Sequence, residues 1–253
     1  MEAVVIIPAR YESTRLPGKP ILEEARDITG KYIVQHVYDR ASRAPSVSDV
    51  VIATDDVRIQ ETVESFGGKV RMTSADHSSG TDRIAEVARD LTAPIIVNVQ
   101  GDEPQIEPEQ IEHVIQLLDE DSDAVMGTLA HPITDESTWL DPNAVKVVTD
   151  ENGAAMYFSR SPIPYVRDSD NWIEDTPVRP LRHLGVYSYR REFLLAYADM
   201  PRASYEEAEK LEQLRALQAA HRIKVGITSR ASIGIDTPED LEKWLSLFRN
   251  DTD

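Results

Sequence analysis

The chain has 253 residues, 41% of them hydrophobic, which is enough to bury a substantial core without covalent staples. Its 27 Lys and Arg face 45 Asp and Glu, a formal charge of −18 at pH 7, which argues against nucleic-acid or anionic-membrane binding driven by basic residues. The absence of Cys excludes disulfides, iron–sulfur clusters, thiolate zinc sites and a Cys nucleophile.

The N-terminus carries no basic stretch ahead of a signal-length apolar run, and no segment approaches the ~18 apolar residues of a membrane span. A soluble, cytoplasmic protein is expected. The first half alternates short continuous apolar runs, at 4–7, 50–53, 70–73 and 95–99, with helical patterns near 31–44, 56–66, 81–91 and 108–120. Continuous runs suit strands buried on both faces, and the strand–helix rhythm predicts a parallel sheet with helices on either side. Next come a strand at 124–129 and a hairpin, 144–149 with 154–159, around the turn Asp150-Glu151-Asn152-Gly153. A polar, Pro-bearing stretch at 161–182 reads as a long surface loop. Strands follow at 184–189, 223–228 and 233–236. One helix is expected to start from a capping box at Ser204-Tyr205-Glu206-Glu207 and continue through Leu211, Leu214 and Leu217; another starts at Thr237-Pro238-Glu239-Asp240. No repeat or linker divides the chain, so one domain, 1–253, is expected, with about 130–190 forming a smaller sub-sheet and loop lobe.

Four places carry chemistry. The segment from Arg10 to Pro20 directly follows the first strand and holds Arg10, Arg15 and Lys19 against the single acid Glu12. Open parallel sheets bind ligands beyond the carboxyl ends of their strands, and Arg forks with a Lys point charge there can wrap a triphosphate. It is not a P-loop, because G-x-x-x-x-G-K-[ST] is absent. Gln100-Gly101-Asp102-Glu103-Pro104 follows the strand at 95–99, where Asp102 can hold Mg²⁺ against phosphate oxygens. Asp236, ahead of the last helix, is a second carboxylate that could equally serve only the turn. Ser78-Ser79-Gly80-Thr81-Asp82-Arg83 offers helix N-terminal N–H groups to a ligand, or plain N-capping by Ser79 or Thr81. The six His show no metal-binding spacing, and no G-x-S-x-G elbow is present.

In order and spacing, these segments resemble the 3-deoxy-D-manno-octulosonate (Kdo) cytidylyltransferase family over residues 4–245. The resemblance rests on Ile6-Ile7-Pro8-Ala9-Arg10-Tyr11, Leu16-Pro17-Gly18-Lys19-Pro20, Asn98-Val99-Gln100-Gly101-Asp102-Glu103-Pro104, Tyr157-Phe158-Ser159-Arg160, Arg182-His183-Leu184-Gly185-Val186-Tyr187 and Leu211-Glu212-Gln213-Leu214-Arg215. Two departures follow the phosphate loop: added length at 23–26, and Tyr32 after Gly30-Lys31. The resemblance implies an α/β fold with a doubly wound, mainly parallel sheet and a smaller mixed sub-sheet used in dimerisation. It implies synthesis of CMP-Kdo and pyrophosphate from CTP and Kdo, with Mg²⁺ as cofactor and a homodimer as the working form. Catalytic roles fall to Arg10, Lys19 and Asp102, with Asp102 and Asp236 as metal ligands. The nucleotide is assigned to Ala9, Arg10, Arg15, Lys19, Ser79, Thr81, Arg83 and Gln100, and the sugar to Arg160, His183, Tyr187, Glu212 and Gln213. Competing readings are a cytidylyltransferase for 8-amino-Kdo or sialic acid, and a non-catalytic nucleotide-binding relative. On a helix surface, Glu212 could simply pair with Arg215.

Overall fold

The computed structural model describes residues 1–12, 16–77, 79–167, 178–231 and 234–249. Its first half runs β1 (Ala3–Pro8), a 3-10 turn (Lys19–Ile21), α1 (Glu23–Thr29), α2 (Ile33–Ala41), β2 (Val47–Thr54), α3 (Val57–Ser65), β3 (Val70–Met72), α4 (Gly80–Ala88), β4 (Ile95–Asn98) and α5 (Pro108–Glu120). The second half runs β5 (Ala124–Pro132), α6 (Glu136–Leu140), β6 (Lys146–Thr149), β7 (Ala155–Ser159), β8 (Leu181–Arg190), α7 (Arg191–Ala198), α8 (Ser204–Glu209), α9 (Gln213–Gln218), β9 (Arg222–Ile227) and α10 (Pro238–Arg249).

The strand order is β3-β2-β1-β4-β8-β5-β9. The pairs β1–β2, β1–β4, β2–β3 and β5–β9 are parallel, and β8 runs antiparallel to β4 and β5. The expected mainly parallel sheet is therefore present. Strand β1 explains why its sequence is apolar throughout. Ala3, Val5 and Ile7 join the core under α2, α3 and α5, while Val4 and Ile6 join the opposite core under α4, α7 and α9. Each face of the strand is covered, so neither can be polar.

The predicted hairpin forms: β6 pairs with β7 around a turn in which Gly153 has φ 74°. It is not detached from the large sheet. Lys146 and Val147 pair with Arg182 and Leu181, so β8 runs through both the main sheet and the smaller one. A third core cluster joins Ala25 of α1 and Ile33 of α2 to Ile235 and to Leu241, Trp244 and Leu245 of α10. The added residues at 23–26 thus lie in α1, which builds a support for the segment carrying Asp236.

Two expectations are corrected. Residue 233 lies outside the described residues, and 234–236 form no strand; the Ile235 N–H instead donates a single backbone bond of 2.9 Å to the carbonyl of Asp102. The helix expected from Ser204 through Leu217 is broken, because Lys210 takes a left-handed conformation (φ 53°, ψ 46°) between α8 and α9. Its cap also shifts by one residue, since Glu206 accepts from the N–H of Ala203 at 3.1 Å. The start of α10 is as expected: the Asp240 N–H donates to Thr237 Oγ1 at 3.2 Å, and the Thr237 N–H donates to Asp240 Oδ2 at 2.9 Å. Among the described residues, no helix is long and apolar enough to cross a membrane.

Candidate active site

Strands β1 and β4 end side by side, and the chain following each opens onto a cleft of about 370 Å³. The cleft is lined by Pro8, Ala9, Arg10, Glu12, Lys19, Pro20, Ser79, Gly80, Gln100, Gly101, Asp102 and Glu212. A second cavity of about 240 Å³ adjoins it and shares Gly80, Gln100 and Glu212. Its remaining walls are Thr81, Asn98, Gly185, Tyr187, Tyr189, Lys210, Leu211 and Gln213. The site is thus a two-lobed cleft with Glu212 at the seam.

Local geometry explains why the chain is shaped this way. Gly18 has φ 69°, in the left-handed region, and its N–H donates to the Tyr11 carbonyl at 2.9 Å, turning Lys19 inward. Gly101 sits so close to β1 that a Cβ there would lie 3.0 Å from the Pro8 carbonyl oxygen. A side chain would push the Asp102 turn off the end of β1.

Lys19 is only 9% exposed, and its ammonium reaches two carboxylates: Asp102 Oδ2 at 2.5 Å and Asp236 Oδ1 at 3.1 Å. These acids are 134 positions apart in sequence, and the bond between Ile235 and Asp102 brings them together. Two hard oxygen donors already converging on one cation, Asp102 in the cleft wall and Asp236 beside it, fit the ligand habits of Mg²⁺, which takes one or two protein carboxylates. Among the described residues no group of three His, Asp or Glu offers a fuller cage. Arg10 lines the same lobe, with its Nη2 donating to the His77 carbonyl at 2.6 Å. Arg15 lies outside the described residues.

Ser79 caps α4, its Oγ accepting from the Asp82 N–H at 3.1 Å, and still lines the cleft. The Thr81 hydroxyl donates to Glu212 Oε2 at 2.6 Å and so fixes the carboxylate at the seam. Ala9 and Gln100 line the first lobe as expected. Arg83 is a correction. Its guanidinium is fully buried and lines neither lobe; it donates to Thr73 Oγ1, and to Asp55 Oδ2 at 2.9 Å. The side chain anchors α4 to the ends of β2 and β3 rather than reaching toward a base.

In the second lobe, Tyr187, Glu212 and Gln213 are lining residues as expected. The Gln213 Nε2 is buried with no hydrogen-bond partner among the described residues. Burial pushes the Tyr187 phenol pKa well above its ordinary value, as it does for Tyr189, so both remain neutral donors. His183, expected at the sugar, lines neither lobe; its ring centroid lies 5.3 Å from that of Tyr187, and its Nε2 lies 3.0 Å from Thr128 Oγ1. Desolvation, helped by Arg182, lowers its pKa to about 3, so the ring is neutral.

Arg160 is the second correction. It lines neither lobe, and its Nε and Nη1 donate to the carbonyls of Glu209 at 2.8 Å and Pro142 at 3.0 Å. The guanidinium secures the turn that leads through Lys210 to Glu212. Arg215 pairs not with Glu212 but with Glu206, through two bonds of 2.8 and 2.6 Å between nearly buried groups. Glu212 is thereby left to Thr81 and the cleft. Sequence reasoning missed Asn98, Tyr189 and Lys210. Asn98 and Tyr189 sit within apolar strand runs, where nothing marks a cleft-facing side chain.

A family profile described as Cytidylyltransferase matches residues 4–223. The 3-deoxy-manno-octulosonate cytidylyltransferase of Geobacter sulfurreducens is 54% identical, aligned over 98% of this chain and all of its own length. That of Syntrophotalea carbinolica is 49% identical over 95% of this chain and 96% of its own. A solved CMP:2-keto-3-deoxy-manno-octonic acid synthetase complexed with CTP superposes with a TM-score of 0.90 at 44% identity, covering 99% of this chain and 100% of that one. With its fold, its two-lobed cleft and these end-to-end likenesses, the chain belongs to the cytidylyltransferase family, among the 3-deoxy-manno-octulosonate cytidylyltransferases.

Proposed function

We propose that this chain transfers the cytidylyl group of CTP to Kdo, releasing pyrophosphate and activating the sugar for lipopolysaccharide synthesis. The observation that carries this reading is the cleft itself. A lobe that sets Arg10 and Lys19 beside the carboxylates of Asp102 and Asp236 meets a lobe of hydroxyl, amide and carboxylate groups, in a chain 54% identical throughout to a Kdo cytidylyltransferase.

The sugar's anomeric hydroxyl attacks the α-phosphorus in line, and pyrophosphate departs on the opposite side. Such transfer is mostly positioning and charge neutralisation. Arg10, Lys19 and the expected Arg15 hold the triphosphate and stabilise the charge gathering on pyrophosphate. Asp102 and Asp236 would hold Mg²⁺, whose charge would neutralise phosphate oxygens and acidify the attacking hydroxyl. Ala9, Ser79, Thr81 and Gln100 border the nucleotide. Glu212, Tyr187 and Gln213 hold sugar hydroxyls, and the buried Gln213 amide gains the partner it otherwise lacks. His183 and Arg160 act by positioning, through Tyr187 and through the 209–212 turn.

The homodimer is part of the proposal. Leu140, Met156, Tyr165 and Val178, all within the 130–190 lobe, are 53–87% exposed, and covering them supports an interface there. The cytoplasm, where CTP is at hand, is the proposed location. The test is pyrophosphate release across CTP and UTP, crossed with Kdo, 8-amino-Kdo and sialic acid, with and without Mg²⁺. Release confined to CTP, Kdo and Mg²⁺ together is expected. Turnover with sialic acid and none with Kdo would overturn the reading.

A further inference from the structure

We infer that Lys19 is a built-in stand-in for the divalent cation: its ammonium holds Asp102 and Asp236 until the metal arrives with the nucleotide, then moves onto the phosphates. The inference rests on the proposed role of those two carboxylates. Its own basis is geometric. A metal bound by Asp102 and Asp236 would share the two carboxylates that Lys19 already contacts, at Asp102 Oδ2 (2.5 Å) and Asp236 Oδ1 (3.1 Å). An ammonium so close engages one oxygen of each carboxylate and repels a second cation. A free divalent ion therefore competes with a tethered charge that never leaves the site.

A metal–triphosphate complex meets a different situation. It delivers phosphate oxygens into the lobe that Lys19 also lines, so the ammonium exchanges carboxylate partners for phosphate partners and no charge is left unpaired. The move needs only the side chain. The Lys19 backbone is fixed by its N–H to the Leu16 carbonyl at 3.2 Å and by the neighbouring bonds Gly18 to Tyr11 and Ile21 to Gly18, both 2.9 Å. A flexible four-carbon stem on a fixed Cα suits such a swing better than a rigid guanidinium fork. The consequence is coupling: metal and CTP bind together far better than either binds alone, and the two acidic side chains share one positive charge while the site is empty of nucleotide.

Mn²⁺ binding followed by electron paramagnetic resonance, with and without CTP and with no sugar present, tests this without turnover. The wild type should bind free Mn²⁺ weakly and gain strongly when CTP is added. Lys19→Met should bind free Mn²⁺ at least tenfold more tightly than wild type, with a smaller gain from CTP. Lys19→Gln repeats the test should the Met variant fold poorly, and circular dichroism checks both. If folded Lys19→Met or Lys19→Gln binds free Mn²⁺ no more tightly than wild type, the stand-in role is wrong. Asp102→Asn separates the two levels: if Mn²⁺–CTP binding survives that change intact, the carboxylate assignment itself falls, and the inference with it.

Discussion

Asp102 shows how much a single side chain can carry and how it can be checked. Asp102→Asn keeps the shape but removes the charge that pairs with Lys19, so turnover should fall on the order of 10²-fold or more, with the fold intact. Near-native pyrophosphate release by a folded Asn variant would refute the role. This residue was legible because Gly101-Asp102 follows a strand, and a carboxylate at a strand tip has a narrow range of uses. Arg83 was not, since nothing in Gly80-Thr81-Asp82-Arg83 tells a guanidinium aimed at a ligand from one buried on Asp55. A second residue-scale prediction concerns pH. Burial lowers His183 to about 3 and His36 to about 4, both from 6.5. The unfolded chain takes up protons near pH 6.5 that the native state refuses, so their contribution is complete above that pH and is lost as pH falls toward 4 and 3. The melting temperature should drop by several degrees between pH 7 and pH 5, above the range where carboxylates titrate. The doubly substituted His36→Gln, His183→Gln protein should give a flatter profile, and an unchanged slope would count against both assignments.

At the scale of elements, the site depends on segments whose local sequence says little about them. The residues around Ile235 looked like a strand because they are apolar. What holds them is a single backbone bond to Asp102 and a small core shared by α1, α2 and α10. The seven-residue α1 went unread because no side chain caps its start and its apolar face is short. The break at Lys210 was also hidden, for Leu211, Leu214 and Leu217 just beyond it read as one more helical face and no Gly or Pro marks a stop between 204 and 217. Regular spacing reports which residues are buried, and a left-handed residue between two short helices preserves that burial while redirecting Glu212 into the cleft. Two tests belong here. Ile235→Ala should cost about 2–5 kcal/mol of stability and also weaken Mn²⁺–CTP binding, whereas Leu118→Ala, far along α5, should cost a similar amount and leave that binding alone. Equal effects on metal binding would mean that α1 and α10 merely add stability. Arg160→Ala should release the Glu209 and Pro142 carbonyls, let the turn before Glu212 wander, and raise the KM for Kdo with CTP affinity nearly unchanged. Loss of CTP affinity with Kdo affinity retained would show that Arg160 supports the other lobe.

For the whole molecule, the problem is that a chain of charge −18 has to gather two anionic substrates. The fold was legible at this scale because buried parallel strands must be apolar on both faces, a constraint that the runs in β1, β2 and β4 obey and that the edge strand β3, with Arg71 and Met72 exposed, does not. The electrostatic solution was legible only in part: Arg10, Arg15 and Lys19 stood out as a positive island, but the neutralisation of Lys19 by Asp102 and Asp236 depends on contacts between distant segments. Capture therefore cannot rely on the field of the whole protein, which repels both substrates, and must rely on short-range contacts inside the cleft. Added salt then has two opposed effects: it screens the long-range repulsion and weakens the local attraction. With a Debye length of roughly 10 Å at 0.1 M, the KM for CTP should rise by less than about tenfold between 0.05 and 0.5 M salt, a shallower dependence than a basic protein steering an anion would give. Kdo should bind the nucleotide-free enzyme poorly and improve once the metal–CTP complex fills the first lobe and completes the wall the two lobes share. Calorimetric titration of Kdo, with a non-hydrolysable CTP analogue and Mg²⁺ present or absent, decides the point. Equal Kdo affinity in both conditions would mean that the two lobes, although they share Gly80, Gln100 and Glu212, fill independently.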